Sequence, residues 1–396
     1  MPRSRVAPHV AELPKSGIRK FFDIVAQAKD IVSLGVGEPD FDTPWHISRA
    51  AVTCLENGGT HYTSNLGTPG LRQAIARYLE RRFDARYDWA SEILVTVGVS
   101  EAIDLAIRAI CSPGDEILYH EPCFVSYAPT VRLAHAVPVA VETRVEDEFR
   151  LTVEALERRV TPRSRAILLN FPCNPTGATL SRDEMGAILD FAAHHDLLVL
   201  ADEVYSELNY EDAPAQLPSF AAFPEHRDRV VLLNGFSKSW AMTGYRLGYA
   251  CGPVDVIDAM MKIHQYGIMS APTLSQAAGV EAMDHGDKDV ARMCREYRRR
   301  RDYLVPALNA LGLPTVMPKG AFYVFADVRP TGLTDEAFAL RLLKEFGVAC
   351  VPGSAFGPSG TGFVRMSYAT SMEKLRLAVD RLSRLLTLIP DIHHGQ

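Results

Sequence analysis

The chain of 396 residues is short of several things, and each shortage closes off a class of function. It has no apolar run long enough to span a bilayer. Its seven cysteines (Cys54, Cys111, Cys123, Cys173, Cys251, Cys294 and Cys350) are scattered, odd in number and form no CxxC pair. That pattern argues against a disulfide framework or a zinc site and fits a reducing cytoplasm. Positive charge is not in excess either: 42 Lys and Arg stand against 48 Asp and Glu, a net charge of -6. Such a balance offers no footing for nucleic acid or an anionic membrane surface. The basic segment at residues 1–17 has no apolar core behind it and does not read as a secretory signal. The closing "DIHHGQ" pairs two histidines at a polar terminus, a frayed tail rather than a metal site, so no metal is expected. The one basic cluster, Arg298 to Arg301, has tyrosines and leucine around it at helical spacing and reads as the solvated face of a helix.

What remains is an ordinary globular composition, 47% hydrophobic and 23% charged, enough for a large core in two domains. From residue 45 to about 285, short apolar runs alternate with longer amphipathic ones. Seven strands are predicted, at Ile93–Val97, Glu116–Tyr119, Val137–Val141, Ala166–Asn170, Leu197–Ala201, Val230–Leu233 and Leu247–Cys251. Helices are predicted between them over Glu101–Ile110 and Arg182–His194. The second opens on Ser181 as N-cap, with Glu184 at the capping-box position. Strand–helix alternation of this kind predicts an α/β fold, a mostly parallel seven-stranded sheet covered on both faces. After Asp289 the pattern changes to a long Arg-rich helix, three short strand-like runs and a terminal helix from about Met372. This reads as a small α+β domain over 1–44 and 289–396, interrupted by a large domain over 45–288.

Open parallel sheets bind ligands beyond the carboxyl ends of their strands. The first predicted strand delivers Gly98, Val99 and Ser100, which can cap the following helix and leave free amides for a phosphate. The fourth delivers "NFPCNPTG" with Asn174. The fifth ends in Asp202, with Tyr205 three residues on. The sixth delivers Ser237, Lys238 and, farther along, Arg246. Singly each has a plainer reading: Ser100 as a cap only, Asn174 as a turn former, Asp202 as a strand-end acid, Lys238 as a snorkelling side chain. Together they supply an amine, a buried carboxylate, polar side chains and phosphate donors at one crevice. An aldehyde cofactor with a pyridine ring and a phosphate arm needs that set, and that cofactor is pyridoxal 5'-phosphate.

The block "GFSKSWAMTGYRLGY" resembles the lysine signature of class I aminotransferases. "GEPDFDTP" (Gly37–Pro44), "THYTSNLGTPGLR" (Thr60–Arg72), "PCNPTGA" (Pro172–Ala178), "DEVY" (Asp202–Tyr205) and "VPGSAFG…GFVRMSYAT" (Val351–Thr370) resemble the family's other blocks, in its order. The resemblance implies the aspartate-aminotransferase-like fold of pyridoxal-phosphate enzymes (fold type I) and a homodimer with active sites at the interface. By the same likeness Lys238 would supply the amine that condenses with the aldehyde, and Asp202 would pair with the ring nitrogen. Tyr205 and Asn174 would bond the ring oxygen, and Phe124 would stack on the ring. Ser237, Arg246 and the amides around Val99, Ser100 and Glu101 would hold the phosphate, with Tyr62 reaching it from the other subunit. Arg365 would clamp the substrate carboxylate, with Gly37 opposite and Asn174 beside it.

The implied reaction moves the amino group of an L-amino acid to a 2-oxo acid, with 2-oxoglutarate as the family's usual acceptor. Segments around Lys262–Thr273 and Glu146–Leu151 resemble N-acetyl-diaminopimelate and aromatic amino-acid aminotransferases, and an alanine-like donor fits as well. Some members that favour acidic donors carry a lysine at the place of Ser100, which weighs against that class here. Two other functions share the same residues: a C–S β-lyase on the same fold, and a non-catalytic regulator. The regulator is disfavoured because no helix-turn-helix-like segment precedes the first block.

Overall fold

In the computed structural model, residues 5–13, 30–210 and 217–389 are described. Among them the strands are β1 (Val32–Ser33), β2 (Ile93–Thr96), β3 (Glu116–Glu121), β4 (Val137–Glu142), β5 (Ser164–Asn170), β6 (Leu198–Asp202), β7 (Val230–Gly235), β8 (Gly248–Cys251), β9 (Tyr323–Asp327), β10 (Val348–Ala349), β11 (Val351–Pro352) and β12 (Phe363–Ser367). The seven from β2 to β8 make one sheet in the order β2-β8-β7-β6-β5-β3-β4. All seven coincide with the segments expected from sequence. In all but the edge strand β4, where Val137 is exposed, the apolar runs are continuous because helices cover both faces, so inward and outward positions alike are buried. Leu118, Ile167, Leu168, Val199, Leu200 and Leu233, from four neighbouring strands, have no accessible surface. Only β8 runs against the rest, antiparallel to both β2 and β7.

The helix Arg182–His194 forms where expected, and Ser181 and Glu184 make the full capping box. The other predicted helix starts two residues early, at Val99. Its N-cap is Gly98 at φ 77, and no side chain caps it. Ser100 therefore does not cap this helix; it sits in the first turn. The reason lies in the backbone, which turns so sharply at residue 98 that a left-handed conformation is needed there.

Beyond residue 310, β9, β11 and β12 form an antiparallel sheet in the order β11-β12-β9. Arg365 lies mid-strand in β12, opposite Val351 of β11 and Phe325 of β9, so neighbours on both sides fix its direction. β1 pairs in parallel with β10, Val32 facing Val348, which ties the segment before residue 45 to the C-terminal part. One apolar cluster runs from Leu168 and Leu200 of the large sheet to Val324, Phe338 and Leu382. The two sheets thus share a core, and each such side chain contributes roughly 1.5–3 kcal/mol by its burial.

The Arg298–Arg301 cluster is only half solvated. Arg300 and Arg301 are buried. Arg300 pairs with Asp40 at 2.8 Å and Glu296 at 2.9 Å. Arg301 donates to the Pro318 carbonyl at 3.0 Å and lies over the Tyr210 ring. The helix Asp287–Ala310 packs on both sides, so two arginine stems fill space while their heads find acceptors. Among the described residues no helix is long and apolar enough to cross a membrane, and no cluster of His, Cys, Asp and Glu could hold a metal ion. The "DIHHGQ" tail and residues 1–4 and 14–29 of the first segment lie outside the described residues.

Candidate active site

Where β5, β6 and β7 end, their last residues and the loops beyond them open into one cavity of about 440 Å³. Asn170 and Asn174 come from β5, Asp202 and Tyr205 from β6, and Ser237 and Lys238 from β7. The far wall is made by the other sheet and the segment before residue 45: Tyr323 of β9, Arg365 of β12, and Gly35, Gly37 and Glu38. The cavity exists because the C-terminal ends of parallel strands meet a second layer there.

Lys238 points its Nζ at the Gly37 carbonyl, 2.6 Å away, and stands 5.8 and 5.9 Å from the ring centres of Tyr205 and Phe322. Burial pulls its ammonium down to about 8, Glu38 and Asp202 oppose that, and Arg365 and Arg246 add to it. Asp202 is 4% exposed. Its carboxylate accepts the Tyr127 hydroxyl at 2.7 Å and the Val204 amide at 3.3 Å. Burial pushes its carboxyl up to about 6, and those two donors with Lys238 keep it from rising further.

Arg365 is a buried cation in the same cavity. It is 3% exposed, and burial lowers its pKa. Nη1 donates to Asn174 Oδ1 at 2.8 Å and Nη2 to the Gly35 carbonyl at 2.7 Å, while Nε has no partner. The guanidinium lies 4.5 Å from the Tyr323 ring centre and 4.9 Å from that of Phe356. Among the described residues it forms no ion pair with a carboxylate. A buried cation held by neutral acceptors and rings is a site for an anion that arrives from outside.

The opposite end of the cavity is also built for an anion. The helix Val99–Ile110 presents its uncapped N-terminus there, with Ser100, Ser237 and Arg246 around it. A Cβ on Gly98 would lie 2.7 Å from Arg246 Nη2, and one on Gly248 would lie 2.6 Å from Val99 N. Only bare backbone leaves the arginine room beside the helix end.

Of the residues singled out from sequence, Gly37, Val99, Ser100, Phe124, Asn174, Asp202, Tyr205, Ser237, Lys238, Arg246 and Arg365 line this cavity. Glu101 and Tyr62 do not. The Glu101 carboxylate turns away to the Val97 amide and to His264 Nδ1 at 2.8 Å. Tyr62 is 82% exposed on the surface of its own chain. Sequence reasoning missed Tyr127, Tyr323, Glu38 and Asn170. Tyr323 bonds the Tyr205 hydroxyl at 2.9 Å. Glu38 adjoins Gly37 in the block Gly37–Pro44, and Asn170 opens the turn "NFPCNPTG" that carries Asn174; Tyr127 and Tyr323 carry no local signal.

Residues 29–382 match the family model for aminotransferase class I and II. A Bacillus subtilis chain with the provisional name aminotransferase YugH is 48% identical over 383 residues, covering 97% of this chain and 98% of its own length. The aspartate aminotransferase of Pyrococcus abyssi is 46% identical over 373 residues, 94% of this chain and 95% of that one. Among solved structures, an aromatic aminotransferase from Pyrococcus horikoshii superposes with a TM-score of 0.88 at 45% identity, covering 94% of this chain and 99% of that one.

Proposed function

The chain belongs to the class I and II aminotransferase family, and from that premise we propose that it moves the amino group of an L-amino acid to 2-oxoglutarate, using pyridoxal 5'-phosphate held on Lys238. The residues present fit that group. Lys238 offers an amine and Asp202 a buried carboxylate for the ring nitrogen. Tyr205 and Asn174 are donors for the ring oxygen, and Phe124 is a flat wall. The cradle at Gly98, with Ser100, Ser237, Arg246 and the first amides of the helix at Val99–Glu101, suits a phosphate. When bound, pyridoxal phosphate supplies an aldehyde that takes up the amino group and a ring that draws electrons from the donor's α-carbon.

The chain's own residues do the rest. Asp202, ionised above about pH 6, favours a proton on the ring nitrogen, and Tyr127 holds the carboxylate in place. Lys238, its ammonium brought down to about 8, is the base that lifts the α-proton and returns it. Arg365 takes the α-carboxylate in its planar fork and so fixes which bond of the α-carbon faces the ring. Asn174, already bonded to Arg365, steadies that fork.

One observation carries the reading: a buried guanidinium with no anionic partner shares a cavity with a lysine amine and a buried carboxylate. Three further features belong to the proposal. The first is a homodimer in which Tyr62 of a second copy completes the phosphate site; the exposure of Tyr62 at 82% and Tyr266 at 88% supports it. The second is a division into a large unit, 45–288, and a smaller one, 1–44 with 289–396. The third is residence in the cytoplasm, supported by seven free cysteines. Relatives carry the names of aspartate, aromatic and N-acetyl-LL-diaminopimelate aminotransferases. Those three donors and alanine are therefore the ones to compare, each with 2-oxoglutarate and detection of the amino acid formed. Glutamate appearing at the expense of one donor supports the proposal. Ammonia and pyruvate with no glutamate would refute it.

A further inference from the structure

We propose that Asn170 is a positioning residue whose single side-chain amide sets the spacing between the carboxylate-binding pair Asn174 and Arg365 and the carboxylate of Asp202. The inference rests on the reading of the site given above and extends it to a residue that reading does not use. Asn170 is the last residue of β5 and pairs in register with Asp202, the last of β6. It is 1% exposed. Its Nδ2 donates to the Asp202 backbone carbonyl at 2.9 Å, and its Oδ1 accepts the Asn174 amide at 3.0 Å. Asn174 Oδ1 in turn accepts from Arg365 at 2.8 Å. One side chain therefore ties the backbone of Asn174, whose own side chain accepts from Arg365, to the backbone of Asp202.

The Asn170 backbone is itself pinned. Its N–H donates to His120 Nε2 at 3.1 Å, and burial keeps that imidazole down at about 4, hence neutral and able to accept. The partners also fix which way round the amide lies, because an N–H faces its oxygen and a carbonyl faces its nitrogen. Among side chains of this shape only the amide offers one acceptor and one donor in those directions at every pH. Aspartate has the same outline, but as a carboxylate it sets oxygen against the Asp202 carbonyl; as a neutral acid it regains an O–H donor.

That difference supplies the test. Wild type, Asn170→Asp and Asn170→Ala are loaded with pyridoxal phosphate. Two readouts are taken: the dissociation constant of maleate, an unreactive dicarboxylate, and the pH midpoint of the bound cofactor's absorbance. Melting temperature is recorded beside them. A positioning role predicts that Asn170→Ala weakens maleate about tenfold and also moves the midpoint. Asn170→Asp does the same at high pH and returns toward wild type as the pH falls, relative to wild type at each pH, while Asn170→Ala does not return. Should Asn170→Asp fail to fold, Asn170→Ser carries the two-readout comparison. A change in melting temperature alone, movement of only one readout, or an Asp variant that follows the Ala variant at every pH overturns the inference. Wild-type protein that takes up no pyridoxal phosphate overturns the reading of the site and this inference with it.

Discussion

Replacing Arg365 by lysine keeps the charge and removes the fork. In the structure the guanidinium holds two neutral acceptors, Asn174 Oδ1 and the Gly35 carbonyl, and still has Nε free. It can therefore grip a substrate carboxylate without releasing its supports. A lysine ammonium in the same place is a point charge on a flexible stem and cannot span both supports and a two-point carboxylate contact. The variant loses at least one charge-assisted hydrogen bond, worth about 1.5–3 kcal/mol. At about 1.4 kcal/mol for each factor of ten, kcat/KM for the amino donor falls roughly 10- to 150-fold. Steady-state kinetics with the best donor measures this, and maleate titration of the bound cofactor's absorbance measures the ground-state share. Retention of the cofactor on gel filtration stays as in wild type, because the partners of Arg365 are Asn174 and Gly35 and not the residues at the helix terminus. A variant that keeps its kcat/KM but sheds pyridoxal phosphate would refute the assignment.

Lys238→Ala abolishes turnover, since it removes both the amine that holds the cofactor and the base that lifts the α-proton; substantial transamination in that variant, followed by amino-acid analysis, contradicts the role. The kcat/KM profile rises with pH between about 6 and 8, because Asp202 must be ionised and Lys238 neutral; a profile that falls across this window contradicts it. Asp202→Asn makes the cofactor-free protein more stable at pH 8. The sign follows from a folded pKa raised from 3.8 to about 6: burial of the charged form costs stability above that value and nothing below the unfolded one. The gain is at most about 3 kcal/mol at 1.36 kcal/mol per pKa unit. Urea melts at pH 8 and pH 4 measure it, and an equal gain at both pH values would refute the cause.

The sheet was legible because its strands are buried on both faces, so that each reads as an unbroken apolar run such as "AILL" or "VVLL". The order of the strands and the reversal of β8 were not, since pairing is decided by packing across the sheet rather than within a segment. The helix boundary at residue 99 slipped for a local reason: serine has the chemistry of a cap, but Gly98 has the backbone freedom the turn demands. The site was legible where one strand end carries its own chemistry, as at Asp202 and Lys238. It was opaque where a residue matters through what the fold brings to it. Tyr127 meets Asp202 from 75 residues away, and Tyr323 meets Tyr205 from 118. Arg300 and Arg301 misled in the same way. A run of arginines looks solvated until Asp40 and the Pro318 carbonyl are found beside it.

The most direct measurement reduces the pyridoxal-phosphate-loaded protein with borohydride and locates the added mass by peptide mass spectrometry. The account predicts one modification per chain, on the peptide that contains Lys238. A modification on another lysine, or none on protein that has taken up the cofactor, would contradict it.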